Sequence, residues 1–293
     1  ECHMLYNVTT MASTWHTVAT KDVRLLKRQM NQLSELPKDY IFLNYLRCHD
    51  DIGWGLDYDW LKQFGISEVP HKKFLNDYFT GKFPDSNARG ELYNNDPRLG
   101  DARLCGTTAS LCGIEAALEE KDTDKLEKSI DCDIMLHAYM LTQSGIPVLY
   151  SGDEIGQLND YSYHDNPEKS VDSRYLHRGK FNWKLAEDCD DSHTVQGRIF
   201  QSILKLEKCR AENEVFRAEA DFQTLDTGSD SVLGICREYE NKKLLAYFNF
   251  SDKVQSVFLD GVKSGRDLFS DEVFCGVLAE LKPYGFSWLL LDE

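Results

Sequence analysis

The feature that most constrains the fold is a repeated order of helix, apolar strand and polar tip. Residues 40–46 form a nearly continuous run of aromatic and branched side chains, which is typical of a strand covered on both faces. This strand follows an amphipathic helix predicted over 20–33, and it ends in the polar residues 47–51. A helix predicted over 126–141 and a buried strand predicted over 146–150 repeat the order. The sequence therefore predicts a parallel α/β architecture, whose active site forms at the carboxyl ends of the strands.

Two other parts of the chain break this rhythm. Residues 54–106 contain many aromatic, Gly and Pro residues without a long periodic element, which indicates an inserted subdomain. A third helix is predicted over 195–209. Beyond about residue 220 the chain changes to short alternating strands, which predicts a separate antiparallel β domain. Its expected strands cover 232–239, 243–250, 254–259 and a pair around 282–285.

Composition narrows the partners and the compartment. The formal net charge of −16 disfavours binding to nucleic acid. No apolar run approaches the ~20 residues that a membrane-spanning helix needs. Nine cysteines, an odd number without CxxC spacing, favour a reduced, cytoplasmic setting. Because the sequence starts Glu-Cys-His without Met, we expect the chain to begin inside a longer protein.

Three segments carry candidate chemistry. His49, Asp50 and Asp51 follow a buried strand, where they could hold sugar hydroxyls or stabilise a developing positive charge; a loop of solvated acids is the alternative. Arg103 could donate a fork of hydrogen bonds to a sugar, or form a surface salt bridge. Residues 170–175, which include Arg174, form a polar loop that could equally be a structural ion-pair loop.

The acidic residues at the strand ends also allow a metal site as an interpretation. Asp50, Asp51, Asp153 and Glu154 all fall at strand ends and could offer oxygen ligands to a hard cation, but acidic strand ends serve sugar chemistry equally well. The chain contains no EF-hand loop, HExxH helix, GxSxG elbow, P-loop or GxGxxG motif. We therefore expect no metal and no cofactor.

The residues around the first polar tip carry a family resemblance. Residues 44–54, Asn-Tyr-Leu-Arg-Cys-His-Asp-Asp-Ile-Gly-Trp, resemble the seventh-strand motif of the alpha-amylase family, glycoside hydrolase family thirteen. The form HDDIGW is specifically similar to amylosucrases. Further blocks similar to those enzymes follow in the same order, at residues 74–76, 88–90, 100–103, 106–107, 150, 152–154, 158–160 and 172–174.

The resemblance implies the C-terminal part of a (β/α)8 TIM barrel followed by an antiparallel β-sandwich domain. Residues 1–53 would hold the region of strands six and seven, and 54–106 the subdomain inserted after strand seven. Residues 107–215 would hold helix seven, strand eight and helix eight, and 216–293 the β domain. The Asp nucleophile and the Glu acid/base of the retaining mechanism would both lie before residue 1, in a missing N-terminal half of the barrel.

The resemblance also implies roles for five residues. Asp50 resembles the third family carboxylate, which grips the glucosyl ring at subsite −1 and stabilises its cationic transition state. His49 would bind the same ring, and Arg174 would close the pocket through an ion pair with an Asp of the missing half. Asp51 and Arg103 match positions that contact the sugar at subsite +1. Glu154 and Tyr150 are interpreted as structural.

The sequence differs from the amylosucrase pattern at two places on the acceptor side. Asn95-Asp96-Pro97 stands where those enzymes have a Tyr-Asn-Pro step, and Lys72 stands where they have an Arg. The leading hypothesis is transfer of glucose from sucrose to an α-1,4-glucan with release of fructose. A sucrose hydrolase would share the same residues and differ in its acceptor, which would be water. A non-catalytic sugar-binding fragment is the alternative from another class, and the chain alone is expected to be inactive.

Overall fold

The computed structural model describes residues 2–259, 262, 264–276 and 278–292 of the 293-residue chain. Its helices are α1 Val8–Thr20, α2 Arg24–Ser34, α3 Tyr58–Leu61, α4 Glu68–Phe79, α5 Thr108–Leu111, α6 Ile114–Glu120, α7 Thr123–Thr142, α8 Trp183–Ala186 and α9 Val195–Glu212. Its strands are β1 Met4–Tyr6, β2 Ile41–Asn44, β3 Ile52–Gly53, β4 Glu91–Asp96, β5 Asp101–Cys105, β6 Ile146–Pro147, β7 Asp221–Leu225, β8 Val232–Tyr239, β9 Lys242–Asn249, β10 Gln255–Phe258, β11 Ser264–Asp267, β12 Val273–Cys275, β13 Leu278–Leu281 and β14 Phe286–Leu291.

The chain folds into two compact units. The first consists of Glu1–Asn44, Ile134–Val148 and Ser202–Glu293, and the second of Tyr45–Asp133 and Leu149–Gln201. The predicted helices over 20–33, 126–141 and 195–209 correspond to α2, α7 and α9. The domain boundaries expected from the sequence remain a prediction.

A three-stranded parallel sheet lies in the first unit, in the order β1-β2-β6. Tyr6 is opposite Leu43 across β1 and β2, and Leu43 is opposite Ile146 across β2 and β6. Helices α1 and α2 connect β1 to β2, as a parallel crossover requires. The predicted parallel α/β arrangement is therefore confirmed for these three strands, although β1 and α1 were not predicted from the sequence.

The expected burial of these strands is wrong in detail. Residues 41–43 of β2 are only half-buried, and Tyr40 is 60% exposed. The strand predicted over 146–150 is confined to β6, and Ile146 is 43% exposed. The reason is that the sheet has only three strands, and the β1 strand that flanks β2 is itself exposed along its length.

The C-terminal strands form the predicted antiparallel β structure within the first unit. A six-stranded sheet has the order β12-β11-β14-β9-β8-β7, and β10 pairs with β13 as a second sheet. Alternate residues of the large sheet, such as Cys236, Leu245 and Leu289, share a core with Val257 and Leu281 of the small sheet. The strands predicted over 232–239, 243–250 and 254–259 are confirmed as β8, β9 and β10, whereas β7, β11 and β12 were not predicted.

The opposite face of the large sheet contains Arg237, whose side chain is fully buried. Its guanidinium donates to the carbonyls of Val215 and Arg217 at 2.6 Å and of Thr142 at 2.9 Å, and to Ser144 Oγ at 2.9 Å. Burial lowers the pKa of Arg237 to about 9. The arginine satisfies the carbonyl at the end of α7 and those of the segment before β7, and so links both to β8.

The second unit contains the segment expected to be an inserted subdomain. Strands β3, β5 and β4 form an antiparallel sheet in that order. Against the expectation of no long element in 54–106, α4 spans twelve residues, and its Leu75 and Phe79 are fully buried. Across the described helices, none combines the length and the apolar character that a membrane span requires.

Candidate active site

The predicted polar tip, residues 47–51, lies between β2 and β3 in the chain and belongs to the second unit. The Asp50 side chain is 53% exposed, and Oδ1 of its carboxylate lies 3.5 Å from Nη1 of Arg174 and 3.5 Å from Nη2 of Arg178. Its Oδ2 lies 3.4 Å from Nε2 of His49. Asp50 is therefore an accessible carboxylate held between two guanidinium groups and an imidazole.

Arg174 is fixed by a carboxylate of its own loop. Asp172 caps the 3₁₀ turn Ser173–His177, because its Oδ1 accepts from the backbone N–H of Arg174 at 3.0 Å. The same carboxylate accepts two further bonds from Nε and Nη2 of Arg174, each at 2.8 Å. These bonds lower the pKa of Asp172 and raise the pKa of Arg174. The Arg174 guanidinium also lies 5.0 Å above the Tyr93 ring, and its Nη1 faces Asp50.

The backbone carbonyl of His49 is contacted by His177 and Arg178, which follow Arg174 in the chain. Arg178 donates from Nε to the His49 carbonyl at 2.6 Å. Nδ1 of the buried His177 accepts from the Gly106 N–H at 3.1 Å, so Nε2 carries the hydrogen that faces the His49 carbonyl at 3.4 Å. The ring is therefore neutral. Burial is the main cause that lowers the pKa of His177 to about 3, and the Arg47 charge adds to it.

A buried ion pair between Arg47 and Asp153 lies at the first residue of the polar tip. The side chains of Arg47 and Asp153 are 2% and 3% exposed, and Asp153 Oδ1 lies 2.8 Å from Nε and 2.7 Å from Nη2 of Arg47. Arg47 Nη1 donates to the His177 carbonyl at 3.3 Å, and the Arg47 guanidinium stacks 4.6 Å above the Tyr150 ring. This pair connects the strand tip to two loops that are more than 100 residues away in the sequence.

Asp51 and Arg103 form a second, looser pair beside the first. Arg103 Nε lies 3.8 Å from Asp51 Oδ2, and the Arg103 side chain is 54% exposed. Arg103 is in β5 and is flanked in register by Gly53 of β3 and Tyr93 of β4. A Cβ atom at Gly53 would overlap Nη1 of Arg103, so a glycine is needed there for the observed position of the guanidinium. Because Tyr93 also contacts Arg174, the sheet places Arg103 beside the Asp50 cluster.

We expect His177 to make the folded state sensitive to acid. Its pKa is about 3 when folded and near 6.5 when unfolded, and burial also lowers the pKa of His71 to about 4. The folded state therefore resists protonation, and its stability is complete above pH 6.5 and falls as the pH approaches the folded values. Each such histidine contributes a slope of about 1.4 kcal/mol per pH unit in that window.

The measurement is the free energy of urea unfolding at several pH values between 7 and 5, where Asp and Glu side chains take up few protons. His177→Gln is expected to lower the slope of unfolding free energy against pH by about 1.4 kcal/mol per pH unit, which corresponds to one proton, because Gln does not titrate. His193→Gln is the control, since His193 is exposed, and its slope should match that of the parent protein. An unchanged slope in His177→Gln would show that the buried ring does not set the acid sensitivity.

The four acidic residues proposed as ligands for a cation do not form one group with metal-ligand spacing among the described residues. Asp153 is paired with Arg47, and Glu154 Oε2 accepts from the Gly152 N–H at 2.7 Å. In the part of the chain that the structure describes, the only group with metal-ligand spacing is Cys48, His49 and Asp50, whose ligand atoms lie within 4.8 Å of one another. Of the four acids, this group includes only Asp50.

The structure brings His49, Asp50 and Arg174 together and places Asp51 with Arg103. Arg178 was not predicted as a site residue, although it directly follows the 3₁₀ turn that contains Arg174. Among the described residues Asp172 binds the Arg174 guanidinium from two residues away, and the ion pair expected with an Asp of the missing half stays a prediction. The roles of these residues in a reaction stay predictions.

Comparisons with known proteins bear on the fold of the chain. No protein-family model matches the chain. The chain is 25% identical to glucosylglycerate phosphorylase of Escherichia coli (strain K12) over 293 residues, which cover 99% of this chain and 48% of the relative. Among solved structures it is similar to an AmyP complex with maltotriose, with a TM-score of 0.64 and 14% identity, covering 99% of this chain and 50% of AmyP.

A second similar structure is sucrose 6F-phosphate phosphorylase from Thermoanaerobacter thermosaccharolyticum. The TM-score is 0.60 at 17% identity, over 99% of this chain and 48% of the other. The relatives and structural neighbours are enzymes of the alpha-amylase family, which supports the predicted fold at the level of a mixed helix-and-sheet structure. The barrel fragment followed by a β-sandwich stays a prediction. The chain spans about half the length of the relatives it matches.

Proposed function

We propose that this chain is the glucosyl-binding part of a retaining enzyme that transfers glucose from sucrose to an α-1,4-glucan and releases fructose. The observation that carries the proposal is the Asp50 carboxylate held by Arg174, Arg178 and His49. An accessible carboxylate in this setting accepts hydrogen bonds from sugar hydroxyls and stabilises an oxocarbenium-like transition state. The similarity to enzymes of the alpha-amylase family supports a sugar as the ligand.

In this proposal the two halves of the site have different tasks. Asp50 and His49 bind the transferred glucosyl ring, and Arg174 sets the position of Asp50. Asp51 and Arg103 contact the leaving fructosyl unit and then the acceptor, a role that suits the exposed guanidinium of Arg103. The nucleophile and the acid/base are supplied by the barrel half that this chain does not contain. A covalent glucosyl-enzyme forms there as fructose leaves, and the acceptor hydroxyl then takes the glucosyl group.

The apolar side chains exposed on the parallel sheet support the proposal that a second half of the barrel packs against it. Large apolar side chains of the first unit are accessible to solvent along this sheet, and these are Met4 (48%), Leu5 (52%), Tyr6 (58%), Val8 (51%), Tyr40 (60%) and Ile146 (43%). An apolar surface of this kind, together with open strand edges, is typical of a surface that packs against another body. The N-terminal half of a (β/α)8 barrel is the body that the resemblance implies.

A second candidate is phosphorolysis, in which inorganic phosphate replaces the glucan as the acceptor. It is favoured by the relatives, since one is named as a glucosylglycerate phosphorylase and another as a sucrose 6F-phosphate phosphorylase. The exposed guanidinium of Arg103 has the charge and geometry to bind a phosphate. A sucrose hydrolase uses the same site with water as the acceptor, and a non-catalytic sugar-binding protein uses only its binding residues.

The test is sucrose turnover, with fructose, glucose, glucan and glucose 1-phosphate measured with and without inorganic phosphate. The chain is assayed alone and joined to an upstream half of the length found in its relatives. We expect turnover only with the upstream half, with glucan as the main product. Glucose 1-phosphate that forms only when phosphate is present would show that phosphate, and not a glucan, is the acceptor. Free glucose as the main product would identify a hydrolase. Sugar binding without turnover in either form would overturn the enzymatic proposal.

A further inference from the structure

Three consecutive residues of the polar tip, Cys48, His49 and Asp50, offer a group of metal-binding atoms. The thiol, the imidazole and the carboxylate each contribute one atom, and these atoms lie within 4.8 Å of one another. Nε2 of His49 is 3.4 Å from Oδ2 of Asp50, and the Asp50 N–H donates to Sγ of Cys48 at 3.4 Å. The proposed sugar site uses the imidazole and the carboxylate, and it gives the thiol no task.

The distances within this group are close to those of a zinc site. Zinc binds sulfur at about 2.3 Å and nitrogen or oxygen at about 2.0–2.2 Å, so two ligand atoms of one tetrahedral ion lie about 3.3–3.8 Å apart. The imidazole and the carboxylate already have this separation. No pair of the three atoms is farther apart than 4.8 Å, so side-chain movements of about 1 Å bring all three into range of one ion.

The types of the ligand atoms select the metal. Calcium and magnesium are bound by oxygen atoms, whereas two of the three atoms here are sulfur and nitrogen. A thiolate, an imidazole and a carboxylate together favour zinc, and the Cys48 thiol releases its proton when the ion binds. The side chains of His49 and Asp50 are 61% and 53% exposed, so an ion can enter from solvent and keep water at its fourth position.

The neighbouring arginines orient the carboxylate and also limit the affinity. Arg174 and Arg178 both contact Oδ1 of Asp50 at 3.5 Å, whereas Oδ2 faces His49. Hydrogen bonds to one carboxylate oxygen leave the other oriented for a metal, which is the task of outer-shell partners. Asp172 offsets part of the positive charge, since it binds Arg174 at 2.8 Å and lies 4.0 Å from Arg178. The remaining charge opposes a cation, so we expect weaker binding than at a structural zinc site.

We propose that Cys48, His49 and Asp50 bind a zinc ion, and that the bound ion excludes sugar from the Asp50 site. The metal site depends only on the three ligands. The exclusion of sugar rests on the proposed function, because it requires that His49 and Asp50 hold the glucosyl ring. Zinc is therefore an inhibitor and not a cofactor, since it occupies the carboxylate that the transfer of glucose needs.

The first experiment measures the dissociation constant of Zn²⁺ for the 293-residue chain by calorimetry. Every protein carries Cys2→Ser, because Cys2 and His3 are an exposed thiol and imidazole next to each other. Cys48→Ser is expected to weaken zinc binding by a factor of about 100, since the loss of an outer-shell partner alone costs about 10- to 100-fold. Co²⁺ should give a thiolate charge-transfer band that Cys48→Ser abolishes. Cys275→Ser, which removes another exposed thiol, is the control and should change neither result.

The second experiment measures sucrose binding with and without saturating Zn²⁺. Zinc is expected to weaken sucrose binding to the parent chain at least about tenfold, because the ion and the sugar share His49 and Asp50. Cys48→Ser should bind sucrose as the parent does and should keep that affinity when zinc is added at the same concentration. Circular dichroism checks that each variant is folded.

The outcomes separate the metal site from the proposed function. If the parent chain does not bind zinc, or Cys48→Ser binds it equally well, the metal site is wrong whatever happens with sucrose. If zinc binds through Cys48 but sucrose does not bind, or binds equally well to Asp50→Asn, the metal site stands and the proposed sugar site fails. If both ligands bind and zinc leaves the sucrose affinity of the parent unchanged, the exclusion of sugar is wrong.

Discussion

Asp50→Asn is expected to lower the turnover of an active enzyme that contains this chain by a factor of about 100 to 1000 or more. The substitution keeps the size of the side chain and removes the charge that Arg174 and Arg178 hold in place. The loss falls on the transition state, because the positive charge on the glucosyl ring develops only there. We therefore expect kcat to fall much more than KM rises.

The assay is initial-rate sucrose turnover, with folding checked by circular dichroism. Asp59→Asn is the matched control, since Asp59 belongs to the same unit, has a 94% exposed side chain and pairs with Lys62 on the surface. Its turnover should equal that of the parent enzyme. Near-normal turnover of Asp50→Asn would remove Asp50 from the catalytic machinery.

Asp153→Asn is expected to reduce the free energy of unfolding by about 3–5 kcal/mol. The reason is that Arg47 is almost fully buried and would keep its charge without the carboxylate that balances it. Because Arg47 also donates to the His177 carbonyl, and His177 faces the His49 carbonyl, the backbone of the polar tip should lose support as well. We expect weaker sugar binding in addition to lower stability.

The stability measurement is urea unfolding followed by circular dichroism at pH 7. Asp96→Asn breaks the surface pair with Arg98 in the same unit and should leave the unfolding midpoint unchanged, because exposed ion pairs contribute little. The double variant Arg47→Met with Asp153→Leu should recover part of the loss, since it removes both buried charges. A single Asp153→Asn variant as stable as its parent would contradict the assigned role of the pair.

Local patterns in the sequence predicted several of the elements and their order. The apolar run at 40–46 predicted β2, and the alternating run at 232–239 predicted β8 with its observed bounds. The helical spacing at 126–141 predicted most of α7. These signals are local, because the period of apolar residues reflects which face of a single element is buried. The polar residues that follow β2 were likewise predicted as a site from their position at the end of a strand.

The side chains that meet at that site are set by the packing of loops that are distant in the sequence. Arg47 and Asp153 are separated by 106 residues, and nothing in either local pattern names the other. The bonds from Arg178 to His49 and from Arg237 to Thr142 likewise depend on where distant loops return. The burial of the first strands was predicted wrongly for the same reason. The apolar residues of a strand indicate which face it can bury. The neighbours that cover this face are set by the packing of the whole fold.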